Sequence, residues 1–142
     1  MGRLRPSQRV RRHSEFQRAQ SLGRKLVSRH FVLLVYARDY ERDEDARDEP
    51  AGSPCRLGLV VSKRVGNAVR RNRAKRLIRE AFRRSPGLWQ PGIDLIVIVR
   101  SCPADLRSEQ VLEELDGLSQ ALARRVQQAR KDRENRKSRL AV

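Results

Sequence analysis

The clearest pattern in the chain follows Asn67. Ala74, Leu77, Ile78, Ala81 and Phe82 recur at i, i+3, i+4, i+7 and i+8, the spacing of one face of an α-helix. At 100° per residue, Asn72, Arg76, Arg79 and Arg83 project from the opposite side, flanked by Arg73 and Lys75. Upstream, Arg56–Ser62 reads as a strand, with Leu57, Leu59 and Val61 on one face and Gly58 allowing close backbone approach on the other. Ile93–Arg100 is almost continuously apolar, the pattern of a strand covered on both faces. Lys25–Ser28 and His30–Ala37 are strand-like, with Val27, Phe31, Val32 and Val35 supplying β-branched and aromatic side chains. A short helix precedes them: Ser14 caps it, Glu15 lies in its first turn, Phe16 and Ala19 share a side, and Gly23 ends it. Ser108 caps a last helix whose Val111, Leu112, Leu115, Leu118 and Leu122 form a core-facing stripe, with Gly117 a weakness in its interior.

The order αβββαβα predicts an α+β fold, a single domain with one four-stranded mixed sheet. The third and fourth strands, joined by the basic helix, are expected to be parallel neighbours or near neighbours. Chirality rules alone favour a right-handed crossover there. The flanks read differently. Residues 1–13, with five arginines, form a flexible basic arm, and the domain itself spans 14–126. Residues 38–54 carry seven of the seventeen acids and end in a Pro/Ala/Gly/Ser/Pro stretch, which predicts a mobile, solvated loop of insertion type. Residues 127–142 carry six Lys or Arg while the stripe fades, predicting a fraying helix or disordered basic tail.

Charge sharpens this picture. Net charge is +16 over 142 residues, and Ser62–Arg84 holds ten Lys or Arg against one acid, Glu80. A solvated helix would normally carry acid partners at i,i+4. This one-sided face is suited to phosphates, and the overall field raises on-rates and non-specific affinity for polyanions. No stretch approaches the roughly 20 apolar residues of a membrane-spanning helix, and no apolar segment follows the basic N-terminus, so a cytoplasmic location is expected.

Catalytic chemistry of the chain's own is not visible. Cys55 and Cys102 lack metal-ligand spacing and read as reduced, buried thiols. His13 and His30 have no carboxylate paired with them in sequence, and no Walker loop, HExxH or nucleophile elbow is present. No catalytic residue and no protein metal site is therefore expected.

Val65-Gly-Asn-Ala-Val-Arg-Arg-Asn-Arg-Ala-Lys-Arg-Leu-Ile-Arg79 resembles the signature of the bacterial ribonuclease P protein subunit. Ser14-Glu-Phe16, Arg29-His-Phe31-Val-Leu, Arg56-Leu-Gly58, Val61-Ser-Lys63 and Asp94-Leu-Ile-Val-Ile extend the likeness over roughly residues 5–125. The resemblance implies an α/β sandwich with a left-handed βαβ crossover through the basic helix. It implies a protein that binds a catalytic RNA, one protein per RNA, and assists that RNA in removing the 5′ leader of precursor tRNA. Mg²⁺ would be held mainly by RNA and substrate. Carried over by position, Arg71, Asn72, Arg73, Lys75, Arg76 and Arg79 would contact the RNA subunit. Phe16 would line the leader groove, with Lys63, Arg64 and Asn67 at its edge. Phe16 also reads as a core residue and Asn67 as a helix cap. Where the family often has a second aromatic in the first helix this chain has Gln20, and where some members have a strand tyrosine it has Leu34. Tyr36, on the same strand face, is the candidate substitute. The competing class is a ribosomal or other structural RNA-binding protein, which composition alone fits equally well. A nuclease acting without RNA would need an acid cluster to hold metals, and the sequence offers none.

Overall fold

Strands β1 (Arg24–Val27), β2 (Phe31–Ala37), β3 (Arg56–Val60) and β4 (Ile93–Val99) form one sheet in the order β1-β2-β4-β3. The computed structural model describes residues 8–39, 43 and 54–140. β4 pairs antiparallel with β2 and parallel with β3, so its continuous apolar run belongs to an internal strand, with six of seven residues buried. The predicted parallel neighbours are confirmed.

The pleat sorts residues between two faces. The registers Leu34↔Ile96↔Gly58 and Val32↔Ile98↔Val60 set one face, and helix α1 (His13–Leu22) packs on it through Ala19. Leu33, Val35, Leu95, Val97 and Leu57 belong to the other. There the sheet meets α2 (Ala68–Arg84), α3 (Ser108–Asp116) and α4 (Ser119–Leu140), and this is the larger core. Ile78 and Phe82 of α2 are fully buried in it, each contributing about 1.5–3 kcal/mol by area.

Gly58 fixes how closely α1 approaches. A Cβ there would lie 2.9 Å from Phe16 Cε1, 3.0 Å from Val10 Cβ and 2.7 Å from Ile96 Cδ1. Any side chain would lift the Phe16 ring and the N-terminal segment off β3.

Five expectations change at the edges of the fold; in one, Arg107 and not Ser108 is the N-cap of α3, with Gln110 Oε1 accepting the Arg107 N–H at 2.8 Å. The first helix begins at His13 with Arg12 as its N-cap, and Ser14 lies inside it. The Glu15 carboxylate reaches back to accept the Arg12 N–H at 2.8 Å, so the acid, and not the serine hydroxyl, satisfies the exposed donor. The last helix is two helices. The chain turns at Gly117–Leu118, where Gly117 N–H bonds back to Glu113 O and the Ser119 hydroxyl donates to Asp116 O. The apolar spacing runs unbroken across this turn and conceals it. Residues 127–140 are helical and docked, because Ala129 prolongs the buried stripe and Arg130 and Arg133 donate to Pro91 O and Arg38 O. Arg24 and Asp132 add a two-point ion pair at 2.7 and 2.8 Å. Lastly, the basic arm is anchored from residue 8: Arg9 bridges to Leu57, and buried Val10 donates its N–H to Leu57 O at 3.1 Å. Residues 1–7, residues 40–42 and 44–53 of the acidic loop, and 141–142 lie outside the described residues.

Candidate nucleic-acid interface

The turn between β3 and α2 sets the basic helix. Lys63–Val65 makes one 3₁₀ turn with Val65 buried and Lys63 and Arg64 exposed. Gly66 follows at φ 150°, a conformation that side chains disfavour. Asn67 then caps α2, its side-chain oxygen accepting the Arg70 N–H at 3.0 Å. Of the two readings of Asn67, the cap is thus realised.

From that start the helix divides as its periodicity requires. Ala74, Ile78, Ala81 and Phe82 are buried, and Leu77 is half-buried. Asn72, Arg76, Arg79 and Arg83 are exposed. Asn72, Arg73, Arg76 and Leu77 line an open groove of about 750 Å³ that runs against Ser108 at the start of α3, with Val69 and Glu80. Glu80 bonds to Arg83 on the same helix, and that contact holds its carboxyl below the usual range. The groove therefore keeps a strongly positive rim. Arg73 has a second task, because its guanidinium also donates to the carbonyls of Pro103 and Leu106 and braces the loop into α3. Arg71 is half-buried, and its Nε has no hydrogen-bond partner among the described residues.

Lys75 and Arg79 lie elsewhere. They line a cleft of about 200 Å³ with Phe16, Leu57, Leu59, Arg9, Val10 and Arg11, on the flank of α2 facing the β3 edge. Phe16 is half-buried, resting on Gly58 with part of its ring open. Lys63, Arg64 and Asn67 are exposed but are not among the residues lining this cleft. Val32, Val60 and Ile98 are partly open on the α1 face of the sheet and pack against the same small core as Phe16.

Tyr36 does not serve as a second stacking platform. It is 2% exposed, its hydroxyl donates to Asp43 Oδ2 at 2.8 Å, and the guanidinium carbons of Arg18 and Arg136 each lie 5.5 Å from its ring centre. Burial pushes the phenol up, the Asp43 carboxylate adds to that shift, and the two arginines offset only part of it. Leu34 is also buried and Gln20 exposed, so among the described residues no aromatic on the α1 face stands in for the missing ones.

Around Tyr36 the structure assembles a charge cluster that pattern reading missed. Asp94, 0% exposed, accepts from Arg56 at 2.7 and 2.8 Å and from fully buried Arg38 at 2.9 Å. Arg56 also pairs with Glu15 Oε2 at 2.8 Å, and Arg18 lies 3.8 Å from both Asp94 and Asp43. The cluster ties α1, β2, β3 and β4 together. One signal was available in sequence: an aspartate inside an otherwise apolar strand requires a cationic partner. The acidic loop is thus fastened at Asp43, which also accepts the Asp39 N–H.

Neither histidine lines either recess. His30 joins α3 instead, with Nδ1 2.6 Å from Glu114 Oε1 and its N–H bonded to Oε2. Both cysteines are free and buried, and burial pushes the Cys55 thiol up to about 12. Among the described residues no three His, Cys, Asp or Glu side chains form a group able to hold a metal. None of their helices is long and apolar enough to cross a membrane.

The family model for ribonuclease P matches residues 4–123, spanning both α1 and the whole basic helix. The chain belongs to the ribonuclease P protein family. Among its relatives, the ribonuclease P protein component of Bacillus pumilus is 37% identical over 123 residues, 87% of this chain and 94% of that one. That of Shouchella clausii is 37% identical over 113 residues, 80% of this chain and 84% of the other. The RNase P protein of Staphylococcus aureus superposes with a TM-score of 0.62 at 32% identity, over 80% of this chain and 94% of its own. The RNase P protein from Thermotoga maritima gives 0.61 at 29%, over 80% and 96%. The ribonuclease P family match stops before the second half of α4, so the segment carrying Arg136 lies outside it.

Proposed function

We propose that this chain is the protein subunit of a ribonucleoprotein ribonuclease P, binding a catalytic RNA and the 5′ leader of precursor tRNA so that the leader is removed. The observation that carries the reading is the division of α2: one side is locked into the core, and the other lines a wide groove rimmed by Asn72, Arg73 and Arg76. A groove of this kind suits an irregular RNA surface, recognised through phosphates and shape. The half-open Phe16 ring beside a basic cleft suits a single strand, held by stacking and charge.

In this reading the protein contributes position and charge, and the RNA contributes the reacting groups. Mg²⁺, when bound, stabilises developing negative charge during phosphodiester hydrolysis. Asp94, Glu15, Asp43 and Asp132 are engaged by arginine or tyrosine side chains, and among the described residues no three acids, histidines or cysteines gather into a metal site, which supports a metal held by RNA and substrate. One protein per RNA is part of this reading.

The test mixes purified protein with a bacterial ribonuclease P RNA at low Mg²⁺ and follows cleavage of precursor tRNA. Protein alone should give none, and cleavage at the mature 5′ end should appear when the RNA is added. Robust cleavage by rigorously RNA-free protein would overturn the subunit reading.

A further inference from the structure

Helix α4 sorts its residues by side. Leu122, Val126 and Ala129 are buried in the main core. Four arginines on its flanks are occupied in docking: Arg125 donates to Lys25 O, Arg130 to Pro91 O and Arg133 to Arg38 O, while Arg136 lies over the Tyr36 ring. Both acids of the helix are paired, Asp132 with Arg24 and Glu134 with Arg133. What remains is one outward row. Arg124, Gln128, Lys131, Asn135 and Arg139 follow at i, i+4, i+7, i+11 and i+15, and all five are exposed. At 100° per residue they fall within an arc of about 80°, opposite the buried stripe. The row is about 22 Å long at the helical rise.

Arg124, Lys131 and Arg139 take no hydrogen bond or ion pair among the described residues. A merely solvated helix would place acids at i,i+4 to such cations, and here no acid interrupts the row. Unpaired cations in line attract a polyanion. The composition of the helix narrows which one. A membrane surface would take an amphipathic helix by its apolar side, but that side of α4 is spent on the core. A flexible single strand is held by stacking on aromatics, and α4 has none. An RNA duplex fits: cations take its phosphates, and amides between them take the 2′-hydroxyls of its wide, shallow minor groove. Because the helix is docked and not a loose tail, the row meets such a partner with little ordering left to do.

We infer that the outward row of α4 is a second contact surface for the catalytic RNA, gripping a duplex segment apart from the one seated on α2. Arg124, Lys131 and Arg139 take phosphates, and Gln128 and Asn135 take the groove between them. Both helices pack on the same face of the sheet, so one large RNA can reach both. The ribonuclease P family match ends at residue 123, just before the row begins, so this surface adds to the interface that the matched region supplies. The inference rests on the subunit reading above and extends it to a segment that the basic-helix motif does not touch.

The experiment measures affinity of the full chain for the ribonuclease P RNA of its own source organism over a range of salt, and affinity of the assembled holoenzyme for precursor tRNA. In Arg124→Gln/Lys131→Gln, RNA-subunit affinity should fall about tenfold or more near physiological salt, and the log–log salt slope should flatten by about two units, one per phosphate contact. Gln128→Ala/Asn135→Ala should weaken binding about three- to tenfold with the slope unchanged, because amides release no counterions. Lys25→Gln/Arg29→Gln removes the same charge from exposed sites off the row, and its affinity should stay within about threefold. The substituted sites are exposed, so melting temperatures should hold within about 2 °C. Precursor affinity of each assembled holoenzyme should match the wild type. Equal losses in the Arg124/Lys131 and Lys25/Arg29 variants would reduce the effect to net charge and overturn the inference. An Arg124/Lys131 variant that keeps the RNA subunit but loses precursor would assign the row to the substrate and overturn it too. An amide variant indistinguishable from wild type would overturn the duplex assignment. If the unsubstituted chain binds that RNA no better than an unrelated RNA of equal length, the subunit reading falls, and this surface with it.

Discussion

Asp94→Asn offers a demanding test of the charge cluster beneath α1. The carboxylate is fully buried and accepts three hydrogen bonds, two from Arg56 and one from Arg38, all within 2.9 Å. Asparagine is nearly isosteric, so no cavity forms, but the negative charge is lost and an amide N–H₂ is turned toward a guanidinium. Arg38 still donates to the carbonyls of Ile93 and Pro54, and Arg56 still pairs with the Glu15 carboxylate. Breaking a buried ion pair from one side costs about 3–5 kcal/mol, because the remaining charge stays desolvated without compensation. At this chain length about 4 °C of melting temperature corresponds to 1 kcal/mol, so thermal unfolding followed by circular dichroism should shift down by about 12–20 °C. A double-mutant cycle adds specificity. Arg56→Gln should cost less in the Asp94→Asn background than in the wild type, with a coupling of at least about 1 kcal/mol. A melting shift under about 4 °C, or additive effects in the cycle, would refute the argument that this cluster fastens the sheet to α1.

The two sides of α2 should respond differently. Ile78→Ala, at a fully buried site, should lose about 2–5 kcal/mol in denaturant unfolding, whereas exposed Arg76→Ala should stay within about 0.5 kcal/mol yet weaken RNA-subunit binding; the reverse outcome would invert the assigned faces. Asp43→Ala removes the acceptor of the Tyr36 hydroxyl and should cost about 1–3 kcal/mol, while deletion of 44–51, sparing Asp43, should cost little, as loop-closure entropy varies slowly with length. At Glu114, burial works to raise the carboxyl, but hydrogen bonds from Ser28 and His30 outweigh it and hold the group below its usual 4.5. A depressed folded value means stability is present above the unfolded value and lost as pH falls through the folded one, so the advantage of wild type over Glu114→Gln should be full near neutral pH and shrink below about 4.5 in urea titrations. An advantage unchanged at pH 3 would show that the carboxylate charge is not what α3 uses to hold His30.

What the sequence disclosed depended on whether the physics was local. The stripe through Ala74, Ile78 and Phe82 was legible because helical period and burial are both written within one segment. Internal β4 was legible for the same reason, since a strand covered on both faces cannot alternate. The break at Gly117 was not, because Leu115, Leu118 and Leu122 keep helical spacing whether or not the helix turns there. The Asp94 cluster was hidden by separation, since its partners are 38 and 56 residues away. Tyr36 was misjudged for a related reason. Strand alternation told which face it occupies, but nothing within the strand revealed that Arg18 from α1 and Arg136 from α4 would cover the ring. The partition of the basic helix needed the third dimension too: Lys75 and Arg76 are adjacent in sequence, yet they line different recesses.

The outermost strands carry a consequence for the protein before it meets any RNA. An unprotected strand edge is a template on which another copy can add. On β3 that position is occupied by Arg9 and Val10, which bridge to Leu57 and take its carbonyl. On β1, Arg125 from α4 donates to Lys25 O, and Arg24 is held against Asp132. Each edge is thus blunted by a segment from a distant part of the same chain, and the net charge of +16 sets copies against one another at longer range. The elements that fasten the two ends of the chain to the sheet also guard a newly made molecule against pairing with its neighbours.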